Sequence, residues 1–226
     1  MYTGATMRSV VLVLTLTAIA LLIFKVNFMH TPQTFIPIGN SYSIGEGVSE
    51  SERWPNLLAN HMTQEGKATK LLANPGRTGW TTRQALENEL PLVEKERPSL
   101  ITILIGVNDL VQGVSVEEFE RNLREILDRS EKALQKPGKI ILITIPDFTL
   151  TPSGKSFGDP ATIQKKLAEF NAVIKKEAAD KGLPLADIYE VSVQLGSDSA
   201  YVAKDGLHPS PTAYIEWEKE IYSAIK

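Results

Sequence analysis

The chain has 226 residues, a formal net charge of −3 at pH 7 and no cysteine, with 42% hydrophobic and 23% charged residues. This is one globular domain with at most an appendage, long enough to bury a core without staples. It excludes a disordered chain, a multi-span membrane protein and disulfide or thiol chemistry. The mild acidity speaks against a nucleic-acid binder, and with only His30, His61 and His208 no metal site is expected.

Arg8 followed by the apolar run Val10 to Phe24 has the layout of an export signal. Residues 1–30 read as a signal anchor or signal peptide. No small residue between Phe24 and His30 marks a cleavage site, which favours the uncleaved anchor. The run is shorter than the roughly 20 residues of a full span, but Met7 to Phe28 reaches that length, with Lys25 placed to snorkel. The expected location is extracytoplasmic, membrane-anchored through this helix or secreted. Residues 31–34 read as a linker and 35–226 as the folded domain.

Within that domain strands and helices alternate. Phe35 to Ile38 is a short apolar run weakened as a strand by Pro37. Trp54 to Met62 reads as a helix, and Lys70 to Ala73 as a second strand. Thr81 to Glu94 reads as a helix opened by the capping-box pair Thr81 and Gln84. Leu100 to Ile105 is continuously apolar, as expected of a strand buried on both faces. Ser115 to Leu134 is a helix with a Phe119, Leu123, Ile126, Leu127 stripe. Lys139 to Thr144 is a fourth strand. Asp159-Pro160 opens a long helix closed by Gly182. Leu183 to Ile188 reads as a fifth strand, and Ser210-Pro211 begins the final helix. This alternation predicts an α/β fold, a mostly parallel sheet with helices on both faces.

Ligands of such sheets bind beyond the carboxyl ends of the strands. The loops there hold Gly39-Asn40-Ser41, Asn74 to Gly79, Gly106-Val107-Asn108-Asp109, Pro146-Asp147 and Asp205-Gly206-Leu207-His208. A serine hydrolase needs a nucleophile, a base, a group to orient the base and donors for the oxyanion. Ser41 sits in a turn after the first strand. His208 is the one histidine in a loop at this edge, and Asp205 is three residues before it. Asn108 supplies an amide donor and Gly79 an unobstructed backbone N–H. Asn40, Tyr42, Trp80 and Asp147 are candidate pocket residues beside these. The motif is not the Gly-x-Ser-x-Gly elbow, since Ser43 stands at its last glycine. Gly45-x-Gly47 is not a dinucleotide loop, since Glu50 stands at the third glycine.

Gly39-Asn40-Ser41 with Gly45, Gly79 five positions after Asn74, Gly106-x-Asn108-Asp109 and Asp205-x-x-His208 together resemble the SGNH hydrolases, or GDSL esterases/lipases, over about residues 35–226. The resemblance implies a flavodoxin-like three-layer α/β/α sandwich with a five-stranded parallel sheet. It implies Ser41 as nucleophile, His208 as base, Asp205 as its orienter, and an oxyanion hole from Ser41, Gly79 and Asn108, with no metal or cofactor. The expected activity is hydrolysis of small acyl, acetylated-glycan or lysophospholipid esters through an acyl-enzyme. One departure stands out: Asn40 occupies the family's usual aspartate position, neutral where the family carries a charge. Two other readings follow, an envelope acyltransferase using the same site and, because of Asn40, a catalytically weakened glycan- or partner-binding module.

Overall fold

The computed structural model describes residues 32–196 and 198–226, together with Leu14. The expected N-terminal apolar helix and His30 fall outside the described residues, apart from Leu14. Among the described residues no helix is long and apolar enough to cross a membrane.

Five parallel strands form one sheet: β1 (Gln33–Gly39), β2 (Thr69–Leu71), β3 (Leu100–Leu104), β4 (Lys139–Ile143) and β5 (Leu185–Ala186), ordered β2-β1-β3-β4-β5. Ile36 lies opposite Ile101, and Ile101 opposite Ile140. The apolar runs of β1, β3 and β4 are buried almost throughout, because helices cover both faces. The helices are α1 (Ser41–Ile44), α2 (Trp54–Gln64), α3 (Thr82–Gln84), α4 (Leu90–Glu96), α5 (Val107–Val111), α6 (Val116–Ala133), α7 (Pro160–Lys181), α8 (Ile188–Leu195) and α9 (Pro211–Ile225). On one face α9 packs against α2 and α8 and reaches β4 and β5. On the other, α6 packs against α4 and α7. This is the three-layer architecture that the motifs implied. Its strand order reverses between β1 and β3, so the loops after those two strands flank the crevice where ligands bind in such sheets.

The caps explain several helix starts. Asp159 accepts the Thr162 N–H at 2.9 Å, with Pro160 at the first helical position, and Gly182 closes α7 in the left-handed region. Thr81 donates its N–H to Gln84 Oε1 at 2.8 Å, completing the expected box. The apolar stripe of α6 is buried as expected.

Three elements differ from expectation. β1 begins at Gln33, so Gln33 and Thr34, read as linker, belong to the sheet. Pro37 lies inside that strand, opposite Thr102. Strand residues alternate between neighbours: Thr34 accepts from Ser99 toward β3, and Phe35 accepts from Leu72 toward β2. Pro37 therefore faces the β2 side, and β2 has stopped pairing at Leu71, so the missing N–H costs no ladder bond. Finally, the fifth strand is only Leu185–Ala186, and Ile188 opens α8 rather than ending the strand. The helix expected over 81–94 also carries a π-helical turn, Ala85–Glu89, between α3 and α4.

Candidate active site

Ser41 is the first residue of α1, immediately after Asn40, which leaves β1. The Asn40 side chain accepts the Tyr42 N–H at 3.2 Å, and Gly45 ends the turn in the left-handed region with φ of 65°. Ser41, Tyr42 and Ser43 are all buried, so packing and backbone bonds fix this turn. Ser41 is only 6% exposed, and its Oγ makes no hydrogen bond among the described residues. Such a contact often tightens only with substrate.

Two segments close around it. Asn40 forms a parallel bridge with Arg77, drawing the Asn74–Trp80 loop alongside. Gly76 sits so close that a Cβ there would lie 2.5 Å from the Gly39 carbonyl oxygen, so only glycine fits. Gly79 has φ of 80°, a conformation side chains resist. Its carbonyl accepts from Gln112 Nε2 at 2.8 Å. Its N–H takes part in none of the turn and loop backbone bonds among the described residues. Asn108, in α5 after β3, donates one amide hydrogen to the Trp80 carbonyl at 2.9 Å and keeps the second. Asp109 is fully buried and ties this loop to the next by accepting Thr82 N–H and hydroxyl. Burial pushes its carboxyl up, partly offset by those bonds.

The Asp205–His208 pair lies at the tip of a hairpin closed by the antiparallel bridge Val202–Pro209, just before α9. Asp205 Oδ2 meets His208 Nδ1 at 2.6 Å, and Oδ1 accepts the Leu207 and His208 N–H groups at 2.8 and 2.9 Å. Partial burial opposes the charge, but these three donors together hold the carboxyl below the usual range. An anion there fixes the proton on Nδ1 and leaves the Nε2 lone pair free. The ring is 7% exposed and packs edge-on against Tyr42, 5.7 Å between centroids.

The candidate pocket residues divide. Tyr42 and Asp147 line a small solvent-open pocket beside His208, with Phe148, Tyr201, Leu207 and Trp217. Burial and the neighbouring Asp147 and Asp205 raise the Tyr42 hydroxyl well above its ordinary range. Asp147 spends its oxygens on Thr149 and Gln164. Asn40 and Trp80 do not line this pocket. Asn40 is buried behind Ser41, and Trp80 lies under the Arg77 guanidinium, 5.6 Å from its ring centroid. His61 is outside the site, bonded to Glu218 at 2.8 Å and stacked on Tyr222.

Two further residues belong to this neighbourhood. Glu46 Oε2 lies 3.8 Å from His208 Nε2 and accepts the Thr78 hydroxyl next to Gly79. Glu89, at the end of the π-turn, is fully buried and accepts the Gly39 N–H at 3.0 Å. Glu89 had a readable signal, four residues from both Ala85 and Val93 on an apolar helix face. Glu46 had none, since only the fold brings it to His208.

The fold thus gathers the serine turn, the Asp205–His208 pair, the Gly79 loop and Asn108 at the carboxyl edge of one parallel sheet. The GDSL-like Lipase/Acylhydrolase family model matches residues 38–214, and the chain belongs to that family. It is 25% identical over 194 residues to Esterase TesA of Pseudomonas aeruginosa, covering 86% of this chain and 88% of that one. It is also 25% identical over 180 residues to Thioesterase 1/protease 1/lysophospholipase L1 of Escherichia coli, covering 80% and 77%. The crystal structure of the lipase/acylhydrolase from Enterococcus faecalis superposes with a TM-score of 0.70 at 24% identity, over 85% of this chain and 95% of that one. The protein is a carboxylic ester hydrolase that acts on acyl esters.

Proposed function

We propose that Ser41 is the nucleophile of this hydrolase and that turnover passes through an acyl-enzyme. His208 Nε2 takes the Ser41 proton as Oγ attacks the ester carbonyl, and Asp205 steadies the resulting imidazolium. The carbonyl oxygen becomes an oxyanion held by the Ser41 and Gly79 N–H groups and the spare Asn108 amide hydrogen. Such donors contribute about 2.7–4 kcal/mol each to the transition state. The imidazolium returns its proton to the leaving alcohol, and water then attacks the acyl-enzyme by the same path. The observation that carries this reading is the 2.6 Å Asp205–His208 contact on the hairpin facing the serine turn.

The aromatic pocket beside His208 supports short acyl or aryl groups in preference to long chains. Among the expected substrates, small acyl and acetylated-glycan esters suit it better than lysophospholipids. Asn40 still caps the serine turn through its Oδ1, as the first half of an aspartate would. That supports an active enzyme over a binding module. The apolar run Val10 to Phe24 supports an extracytoplasmic, membrane-anchored enzyme, with residues 1–30 as anchor.

Hydrolysis of p-nitrophenyl acetate by the purified chain and by Ser41→Ala tests the mechanism. Activity lost in the variant, with a fluorophosphonate labelling only the parent, is the expected result. Equal rates would remove Ser41 from the reaction.

A further inference from the structure

The side of β1 that faces β2 has an unusual end. Phe35, Pro37 and Gly39 all point there, but β2 pairs no further than Leu71, opposite Phe35. Pro37 has no N–H to satisfy. Gly39 has one that needs a partner, because it is buried and a buried donor left unmade costs about as much as a lost hydrogen bond. Among the described residues Glu89 supplies it, from a π-turn that aims the side chain at the strand end.

We propose that Glu89 is a positioning residue for the nucleophile: its carboxyl holds Gly39, and through Gly39 the Asn40–Ser41 turn, in the geometry that catalysis needs. This rests on the serine mechanism proposed above. Gly39 leads directly into Asn40, and it is closely surrounded: a Cβ there would meet the Ser43 hydroxyl at 2.1 Å and the Leu104 carbonyl at 2.8 Å, so the turn has little room to adjust.

The carboxyl does this as the neutral acid. Its second oxygen, Oε1, is buried without a partner among the described residues. β1 carries no titratable group. The helices packed on the π-turn carry theirs away from it: Arg83, Glu94, Arg121 and Glu125 are exposed, Glu118 is half-buried, and none of them acts on Glu89. Burial therefore pushes the Glu89 carboxyl up to about 8, against the smaller pull of the Gly39 N–H. Above that pH an uncompensated charge must reach for water, and it takes the hold on Gly39 with it.

The test is kcat and KM for p-nitrophenyl acetate from pH 6 to 9.5, using the full chain, Glu89→Gln, Glu89→Ala and Ser41→Ala. We expect wild-type kcat to fall with a midpoint near pH 8, with KM little changed. Glu89→Gln keeps an acceptor for Gly39 without a titrating proton. It retains kcat within about threefold at pH 7 and shows no such fall. Glu89→Ala strands the Gly39 N–H and loses about tenfold or more in kcat at every pH. A wild-type kcat flat to pH 9.5 overturns the inference, and so does an alkaline fall shared by Glu89→Gln. The first of these needs no variant to fold. Ser41→Ala as active as wild type overturns the serine mechanism, and this inference with it. A Ser41-dependent activity indifferent to Glu89 overturns this inference alone.

Discussion

Two carboxyl groups stand behind the two halves of the site, and their surroundings are opposite. Asp205, behind His208, is partly exposed and meets three donors, the Leu207 and His208 N–H groups and His208 Nδ1, which hold it below the usual carboxylate range. Glu89, behind the serine turn, is fully buried, meets one donor and is held well above that range. The number of donors and the access of water decide whether the same chemical group is a counter-ion or a neutral acceptor. Where the proposed mechanism develops a positive charge, on His208, the fold supplies an anion. Where only a backbone N–H needs a partner, it buries an acid.

Neutralising each carboxyl separates the two cases. Asp205→Asn removes the charge at nearly constant shape and should lower kcat by about 10³–10⁴-fold, since the imidazolium loses its partner and the tautomer its anchor. The matching Glu89→Gln change should be nearly silent at pH 7. Steady-state kinetics on one ester measures both. Removing the spare amide hydrogen in Asn108→Ala should cost about 10²–10³-fold in kcat with little change in KM. That would show that the oxyanion side, unlike the Glu89 side, acts on charge.

Stability against pH gives a smaller contrast of opposite sign. Glu89 keeps its proton in the folded state to about pH 8, while the unfolded chain releases it near the ordinary value of 4.5. Folding stability should therefore fall as pH rises through that window, by on the order of 2 kcal/mol once water relieves part of the buried charge. Glu89→Gln should abolish this slope in urea unfolding. Asp205, with a lowered value, contributes stability above the ordinary range that is lost as pH drops through its folded value. The smallest effect is expected at Gln112→Ala. It frees the Gly79 carbonyl on an exposed loop and should lower kcat by about threefold, without a change in fold, by circular dichroism.

Much of this site was readable in order along the chain. Ser41, Gly79, Asn108, Asp205 and His208 each follow a strand or precede a capped helix, and these are the places where an open α/β sheet gathers ligands. The caps at Thr81 and Asp159 were readable because they depend on residues three apart. What escaped was what only packing decides. Leu183 to Leu195 is one largely apolar stretch, so nothing local marks the change from strand to helix at Ile188. Pro37 was an argument against a strand until the end of β2 removed its need for an N–H. Trp80 neighbours Gly79 in sequence, yet its ring stacks under Arg77 instead of lining the pocket. Glu46 carries no signal in sequence, and Glu89 shows only as a charge on an apolar helix face; the fold alone carries them to His208 and Gly39.

The proposed nucleophile follows the first strand, and the proposed base sits on the hairpin that leads into α9. On the ribosome, roughly 10–30 s of synthesis separates them. In the proposed mechanism Ser41 is throughout that interval an ordinary alcohol with no base to activate it, and a chain interrupted before the hairpin should be inert toward esters. The order of the polypeptide thus acts as a timer, withholding reactivity until almost the whole fold exists to contain it.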